Sequence, residues 1–374
     1  MVPEIISKSV LCENPDSPFD YFGWPTVARL PDGTLAVTAS GYRLAHVCPF
    51  GKAVICYSRD EGGTWTKPAA VIDTPLDDRD SGITSFGNGR VILTSFNNSI
   101  AFQRNANAQR HTSLHAAERV KARFIDAYLD YIEMTCGEIR HIGSGYCISE
   151  DGGITFGKVM RAHVTAPHGP FRLNDGSLMY VGRVYSENDA FENPNEDFIE
   201  CWHMPADGHA FTKLSSVPNI RGPEGVLNSC EPHGVQLPDG RIIIHIRVQG
   251  GKEHPYFTVF QSESDDGGKT FSPPLQLLAD RGGAPAHLLL HSGGTLISVY
   301  GYREQPYGIR VMLSRDGGKT WDKDLVLDAG GKDADLGYPA TAELKDGSLM
   351  TVYYEHTDNG SRISKLNWRL KETE

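Results

Sequence analysis

Six times along the chain a polar, glycine-bearing turn gives way to a short apolar run. These are LPDGTLAVTAS (30–40), FGNGRVILTSF (86–96), LNDGSLMYVGR (173–183), LPDGRIIIHIR (237–247), LHSGGTLISVYG (290–301) and LKDGSLMTVYY (344–354). Apolar stretches this short, bounded by turn signals on both sides, predict strands rather than helices. The turn glycines Gly33, Gly89, Gly176, Gly240, Gly294 and Gly347 are separated by 56, 87, 64, 54 and 53 residues. A hairpin repeated near this period cannot bury both faces alone and must stack on its neighbours, which is the sequence signature of a β-propeller. The expectation is an all-β fold, a six-bladed β-propeller forming one domain over residues 1–374. In each blade the residues just before the first strand and just after the second share one rim around the central axis. The turns lie on the opposite face.

A second phrase, S-x-D-x-G-x-T-W/F, recurs four times. Its copies are Ser58/Asp60/Gly62/Thr64/Trp65, Ser149/Asp151/Gly153/Thr155/Phe156, Ser264/Asp266/Gly268/Thr270/Phe271 and Ser314/Asp316/Gly318/Thr320/Trp321. Ser and Asp side chains bond nearby amides in a hairpin turn, glycine tolerates positive φ, and the aromatic ring packs beneath. The motif therefore reads as a folding staple between outer strands, and its aspartates are poor catalytic candidates. The 87-residue gap holds an insertion, a helical one at about 105–135. Within 113–135, Ala117, Val120, Phe124, Tyr128 and Tyr131 recur at three- and four-residue steps, with Ser113 or Thr112 placed to cap the start. Such a helix would prop the propeller, wall its pocket, or offer a contact for self-association into a homo-oligomer.

Composition narrows the partners. The net charge of −11 over 374 residues disfavours nucleic acid and anionic membrane, which need a basic field. Seven cysteines, an odd number without metal-ligand spacing, read as mainly reduced residues of an intracellular protein. The N-terminal MVPEIISKSV lacks the apolar core of a signal peptide, so the expected compartment is the cytoplasm, or outside it if a leader was removed.

The rim carries the chemistry. After the second strands come Arg43, Asn97, Arg183, Arg247, Arg303 and Glu355. Before the first strands come Gly23, Arg79-Asp80, His168, Glu231-Pro-His233, His287 and Asp335-Leu-Gly-Tyr338. Arginines at equivalent positions of successive blades should converge, and convergent guanidinium groups suit a carboxylate. Arg43 and Arg183 could instead pair with Asp80 or Glu355 as scaffold. Glu231 and Tyr338 both face the axis, and a tyrosine hydroxyl becomes a nucleophile when a carboxylate can take its proton. His168, His233 and His287 enter from different blades and read as hydrogen-bonding walls of a substrate pocket; no metal and no cofactor is expected.

The chain resembles the sialidase superfamily, six-bladed propellers with Asp-box repeats, over nearly its whole length apart from the helical insert. CEPHGVQLPDGRIIIHIR resembles the stretch holding the catalytic glutamate and second triad arginine, here Glu231 and Arg247. ISVYGYRE resembles the site of the third arginine, here Arg303, and DLGYPATAELKDGSLMTVYYE the region of the nucleophilic tyrosine, here Tyr338. The family's F-R-I-P motif stands here as Phe22-Gly23-Trp24-Pro25, with glycine in place of the first arginine. The family's acid/base aspartate is absent from the loop SGYRLAHVCPFGK, where His46 is the titratable group; Asp80 in PLDDRDSG is the alternative acid.

The resemblance implies a glycoside hydrolase that removes a terminal, acidic sugar from a glycan. Tyr338 would be nucleophile, Glu231 its base, His46 or Asp80 the acid, and Arg247 and Arg303, with Arg43, Arg79 and Arg183 nearby, would hold the substrate. Two alternatives stand beside it. One is a propeller polysaccharide lyase acting on a uronate. The other is a non-catalytic carbohydrate-binding propeller.

Overall fold

The computed structural model describes residues 1–136, 143–184, 199–251 and 253–372. Antiparallel strands dominate, and each glycine turn joins the first two strands of a unit in sequence order, except in the unit 164–217, where the first strand is broken into Val164–Thr165 and Phe171–Arg172 before the Gly176 turn. Three sheets have four strands each, built from the segments 79–161, 228–276 and 286–328, and a five-stranded sheet spans 164–217. A further sheet has eight strands. It contains the first unit (Tyr21–Arg29, Leu35–Arg43, Lys52–Ser58, Ala69–Ile72) and the last (Leu336–Glu343, Leu349–Thr357, Gly360–Lys371). These two are joined by a single parallel bridge, Tyr21 to Ser361. The expectation of six separate blades is therefore corrected to four free-standing blades and one composite sheet. The N-terminal strand Val2–Cys12 supplies the outermost strand of that sheet by pairing antiparallel with Gly360–Lys371.

Apolar side chains fill the gaps between successive units. Leu30, Ala36 and Ile55 meet Ile83 and Val91, and Phe86 and Ile92 meet Leu178 and Tyr180. Met179 and Val181 then meet Ile242 and Ile244. The ring closes where Val37 and Val54 pack on Ala340 and Val352. Hydroxyls knit the inner edges: Thr38 donates to the Ser81 carbonyl (2.6 Å), Ser85 to that of Arg29 (2.8 Å) and Ser95 to that of Arg79 (2.8 Å). The glycine turns touch one another in succession. Asn174 donates to Leu237 O (2.8 Å), His291 bonds Gly347 O (2.9 Å), and Arg29 bonds both Gly33 O (2.8 Å) and Glu343 O (3.0 Å).

The four S-x-D-x-G-x-T motifs are staples, as read. In the first, Asp60 accepts from Ser58 Oγ, Thr64 N and Thr64 Oγ1, each at 2.8 Å, and the Gly62 amide donates to Ser58 (2.9 Å). These bonds, that from the Thr64 amide foremost, hold the Asp60 carboxyl down at about 2, so it stays ionised and bound in its turn.

The insertion is a pair of helices, α1 (Ile100–His111) and α2 (Ala116–Cys136). It starts earlier than expected, because α1 lacks an apolar stripe to announce it: its buried residues are Gln103 and Asn107. Ser99 caps α1 by accepting from Phe102 N (3.1 Å), while Thr112, expected at the start of the 113–135 helix, closes α1 at its C-terminus and Ser113 accepts from His115 N (3.2 Å) just ahead of α2. The buried face of α2 is Ala122, Ile125, Leu129 and Ile132; of the expected stripe, Tyr128 is half-buried and donates to Pro75 O (2.8 Å) and Phe124 stacks on Phe50, while Ala117, Val120 and Tyr131 are exposed. Ile125 and Leu129 pack on Leu44, Cys48 and Leu76, so the helices brace the loop after Arg43.

One close approach is decisive near the axis. A Cβ on Gly82 would lie 2.3 Å from Gly169 N and 2.5 Å from the His168 carbonyl carbon. Backbone leaves no room to yield, so Gly82→Ala should destabilise by about 2–3 kcal/mol, read from the urea midpoint. A change under about 0.5 kcal/mol would show that the neighbouring blades part there without cost.

Candidate active site

Four first strands lose register at the same place, where the chain reaches the axis. The shifts fall between Gly23 and Thr26, Arg79 and Gly82, Cys230 and His233, and Gly337 and Ala340. Inside them sit Trp24, Asp80, Glu231 and Tyr338, with φ of 55°, 49°, 49° and 49°. Non-glycine residues occupy this left-handed region rarely, and a bulge re-aims the side chain it carries. Here it turns a tryptophan, two carboxyls and a phenol toward one another.

Tyr338 donates its hydroxyl proton to Glu231 Oε1 at 2.6 Å. Arg247 donates to Glu231 Oε2 (2.5 Å) and to the Tyr338 oxygen (2.9 Å), and its other terminal nitrogen bonds Gln249. Burial, and then the charge of Glu231, raise the Tyr338 hydroxyl well above its ordinary value, against the pull of Arg247. The phenol is thus held protonated until a base removes its proton, and that base already touches it. Arg303 stands beside Arg247 across the Phe257 ring, their guanidinium carbons 5.2 and 4.7 Å from its centroid. Arg303 bonds Leu336 O (3.1 Å) and Tyr354 Oη (3.2 Å). The structure therefore brings Tyr338, Glu231, Arg247 and Arg303 together.

Asp80 joins them. Its side chain is buried and Oδ1 has no hydrogen-bond partner. Burial first, and then the charge of Glu231, raise its carboxyl to about 7, although Arg79 opposes the shift. An unpartnered buried carboxyl costs least when neutral, so Asp80 holds a proton in mildly acidic solution.

The other three rim arginines, Arg43, Arg79 and Arg183, are bonded within the protein. Arg43 is fully buried against a fully buried Asp77. It donates to both Asp77 oxygens, to Ser40 (2.7 Å) and to His46 O (2.8 Å). The partner expected from sequence was Asp80 or Glu355; Glu355 instead bonds Lys8, Arg362 and Ser364. Arg79 also bonds His46 O (2.8 Å), and the guanidinium carbons of Arg43 and Arg79 lie 4.8 and 4.1 Å from the Trp24 ring centroid. Arg183 bonds Asn228 and Ser229 O. Burial would raise the Asp77 carboxyl, but Arg43, Arg79 and the Gln103 amide of α1 hold it below its ordinary value.

His46 lies beyond Trp24, ring centroids 5.0 Å apart. Its Nδ1 meets Tyr21 Oη (2.9 Å) and Asp335 Oδ1 (3.0 Å). Burial, with Arg79 and Arg43 nearby, lowers its proton affinity although Asp335 opposes this. Asp335 also accepts from Tyr354 (2.9 Å). Trp24, Asp77, Asp335 and Phe257 escaped the sequence reading. Trp24 and Asp335 stood within quoted rim motifs, Asp77 is one of several acids in PLDDRDSG, and Phe257 gave no signal.

His168, His233 and His287 do not spread around the ring; they meet. The His233 and His287 rings stack at 4.3 Å, and His168 stands edge-on to both at 5.6 and 5.0 Å. His233 Nδ1 accepts from Leu288 N (3.0 Å) and His287 Nδ1 from Thr341 N (3.4 Å), which places their protons on Nε2. Burial lowers all three well below the ordinary value, leaving a neutral floor. Among the described residues no group of His, Cys, Asp and Glu is arranged to hold a metal.

Removing one partner of the Arg43–Asp77 pair would strand a buried charge. Arg43→Met should therefore cost about 3–5 kcal/mol in chemical denaturation, and adding Asp77→Leu should recover most of it. Equal stability of the single variant and the parent would show that the pair is dispensable to the fold.

No protein of curated function matches the sequence. Similar folds occur in a Dyadobacter fermentans protein of unknown function (TM-score 0.74, 18% identity, 99% of each chain covered) and in Hadza microbial sialidase Hz136 (TM-score 0.64, 13% identity, 97% of this chain and 68% of that one). Another is Penicillium chrysogenum alpha-L-arabinanase, solved with arabinobiose (TM-score 0.63, 17% identity, 100% of each chain). At these identities the likeness is one of fold, and it supports the propeller arrangement. The sequence pattern of the BNR repeat-like domain matches residues 134–351, more than half of the chain, and so the chain belongs to the BNR repeat-like domain family.

Proposed function

We propose that this protein is a glycoside hydrolase removing a terminal sugar from a glycan by double displacement. The composite sheet is read as two blades, which makes six around the axis. The observation that carries the reading is the Tyr338–Glu231 contact of 2.6 Å with Arg247 donating to both partners. In the first step Tyr338 Oη bonds to the anomeric carbon while its proton passes to Glu231. The glycosidic C–O bond breaks and its oxygen takes the Asp80 proton. In the second step water attacks the same carbon, Asp80 accepts the water proton, the bond from that carbon to Tyr338 Oη breaks, and Glu231 returns its proton to the tyrosine oxygen. A neutral nucleophile avoids repulsion where the sugar carries a carboxylate near the reacting carbon, a group that Arg303 and Arg247 can hold.

Asp80 is preferred over His46 as the acid. Asp80 keeps a proton up to about pH 7, whereas the His46 ring is held by Asp335 and Tyr21 and its proton affinity is lowered. A second reading, a neutral sugar, is favoured by one observation. Trp24 stands at the blade-one bulge, and Arg43 and Arg247 are already paired with Asp77 and Glu231. The arabinanase solved with arabinobiose shares the fold, and a neutral pentose would fit that reading.

The test is hydrolysis of paired acidic and neutral aryl glycosides, with ultraviolet absorbance monitored for the unsaturated product that a lyase would release. Tyr338→Phe removes one atom and should lower kcat by roughly a thousandfold or more while leaving the melting temperature near that of the parent. Turnover within a few-fold of the parent would remove Tyr338 as nucleophile.

The acid must carry its proton to act, so kcat/KM should fall as pH rises through about 7. Asp80→Asn should flatten that limb and cost roughly 10²–10⁴ in rate for poor leaving groups, but little for activated ones. The same pattern in His46→Ala, with Asp80→Asn active, would transfer the role to His46.

A further inference from the structure

Helix α2 carries two apolar stripes; the propeller covers one and, from the other, takes only one side of the Phe124 ring, which stacks on Phe50 (centroids 5.1 Å). Ala122, Ile125, Leu129 and Ile132 are buried. On the opposite side Ala117, Val120, Phe124, Ala127, Tyr131 and Met134 are all exposed. Val120 is 57% exposed, Phe124 51%, Tyr131 58% and Met134 79%. Their spacing alternates three and four residues throughout, the repeat of a coiled-coil seam. A continuous apolar stripe left in water marks an interaction surface more often than it marks chance.

The occupant can be read from the stripe itself. A two-fold axis between Phe124 and Ala127 sets Ala117 against Met134, Val120 against Tyr131 and Phe124 against Ala127 of a second copy. A smaller side chain then faces a larger one in every layer, which is how facing helices interdigitate. Parallel pairing would stack Phe on Phe and Tyr on Tyr and leave gaps between the alanines. Charge agrees with the antiparallel choice. The first half of α2 carries Arg119, Lys121 and Arg123 with one acid, Glu118, which pairs with Lys121 (3.1 Å), and the second half carries Asp126, Asp130 and Glu133. Antiparallel packing brings Arg123 beside Asp130 of the other copy, whereas parallel packing aligns like charges. Arg104 of α1 already bonds Asp130 (2.7 Å) and Glu133 (2.8 Å) within one chain. Both acids remain more than half exposed, at 68% and 65% of their side chains, and can accept a second guanidinium.

We propose that the protein forms a two-fold dimer in which the exposed stripe of α2 packs antiparallel on the same stripe of a second copy. The seam from Ala117 to Met134 is about 26 Å long at 1.5 Å per residue. One helix pair of this length makes a small interface, so association should be concentration-dependent rather than permanent. The inner face of the same helix braces the loop that bears His46, and α1 bonds Asp77 through Gln103 (3.3 Å). Pairing would therefore clamp the insertion onto the rim of the propeller without contributing a residue to it.

Sedimentation velocity over roughly 1–200 µM tests the proposal, a range that brackets a micromolar dissociation constant. The parent should pass from monomer to dimer within it. Val120→Asp should remain monomeric throughout with an unchanged melting temperature, and Arg123→Glu should weaken the dimer. Adding Asp130→Arg to Arg123→Glu should restore it, because each new pair is again opposite in sign. Orientation is read by cysteine cross-linking in a Cys136→Ser background, which removes the exposed native thiol. A mixture of V120C and Y131C proteins should cross-link to each other, and neither alone. A monomeric parent at the highest concentration, or V120C cross-linking to itself, would overturn the proposal.

Discussion

Everything at the axis depends on a backbone that turns where strands ordinarily run straight. Trp24, Asp80, Glu231 and Tyr338 each adopt a left-handed φ near 50°, a conformation that costs a side-chain-bearing residue about 1–2 kcal/mol. An isolated hairpin would relax out of it. Here the strand before each bulge and the strand after it are fixed by pairing and by the apolar cores between blades. The fold thus holds four side chains at a place that regular pleating would not reach. Strain of this kind persists only where surrounding structure over-determines it, and it gathers at functional sites. The same device used four times with four different side chains is better explained by a site than by packing.

The second constraint is the pair Arg43–Asp77. Neither side chain reaches water, so each is tolerable only because of the other. Around them the guanidinium of Arg79, the His46 carbonyl and the Gln103 amide complete the set of partners. Trp24 then lies beside both arginines. The result is a rigid wall on one side of the axis in which positive charge is spent on scaffold. On the other side Arg247 is spent on Glu231 and Tyr338, where it steadies any negative charge the phenol acquires. Arg303 is bonded to a carbonyl and a hydroxyl rather than to a carboxylate.

Much of the fold was legible because propellers repeat. The glycine turns, the four staples and the Glu231 and Tyr338 segments all announce themselves by position in a period. What was hidden breaks the period or lacks an apolar signature. Helix α1 buries Gln103 and Asn107, polar residues that hydropathy assigns to the surface. For α2 the spacing was right but the face was wrong, since two apolar stripes coexist and sequence cannot say which one meets the protein. The parallel bridge at Tyr21 and Ser361 merges two units through a contact between distant residues with no local mark. Asp77 could not be told from Asp78 and Asp80 in one acidic run. A shift of a residue or two decides which faces an arginine, which faces Thr74, and which faces the axis.

The three axial histidines keep the floor beneath the rim uncharged. A chain with a net charge of −11 sets Arg43, Arg79, Arg183, Arg247 and Arg303 at one rim, and a protonated imidazole beneath them would add charge without a partner. Burial keeps His168, His233 and His287 neutral. Backbone amides fix the tautomers of His233 and His287, so those two rings accept from the scaffold and present N–H groups elsewhere. An apolar floor would fill the same space, but it would leave the amides of Leu288 and Thr341 without acceptors, a cost comparable to the loss of a hydrogen bond for each. Imidazole satisfies the inner strands, stacks within a narrow channel and carries no charge. With a neutral floor, the protonation of Asp80 is left to its own burial, to Glu231 and to the arginines of the wall.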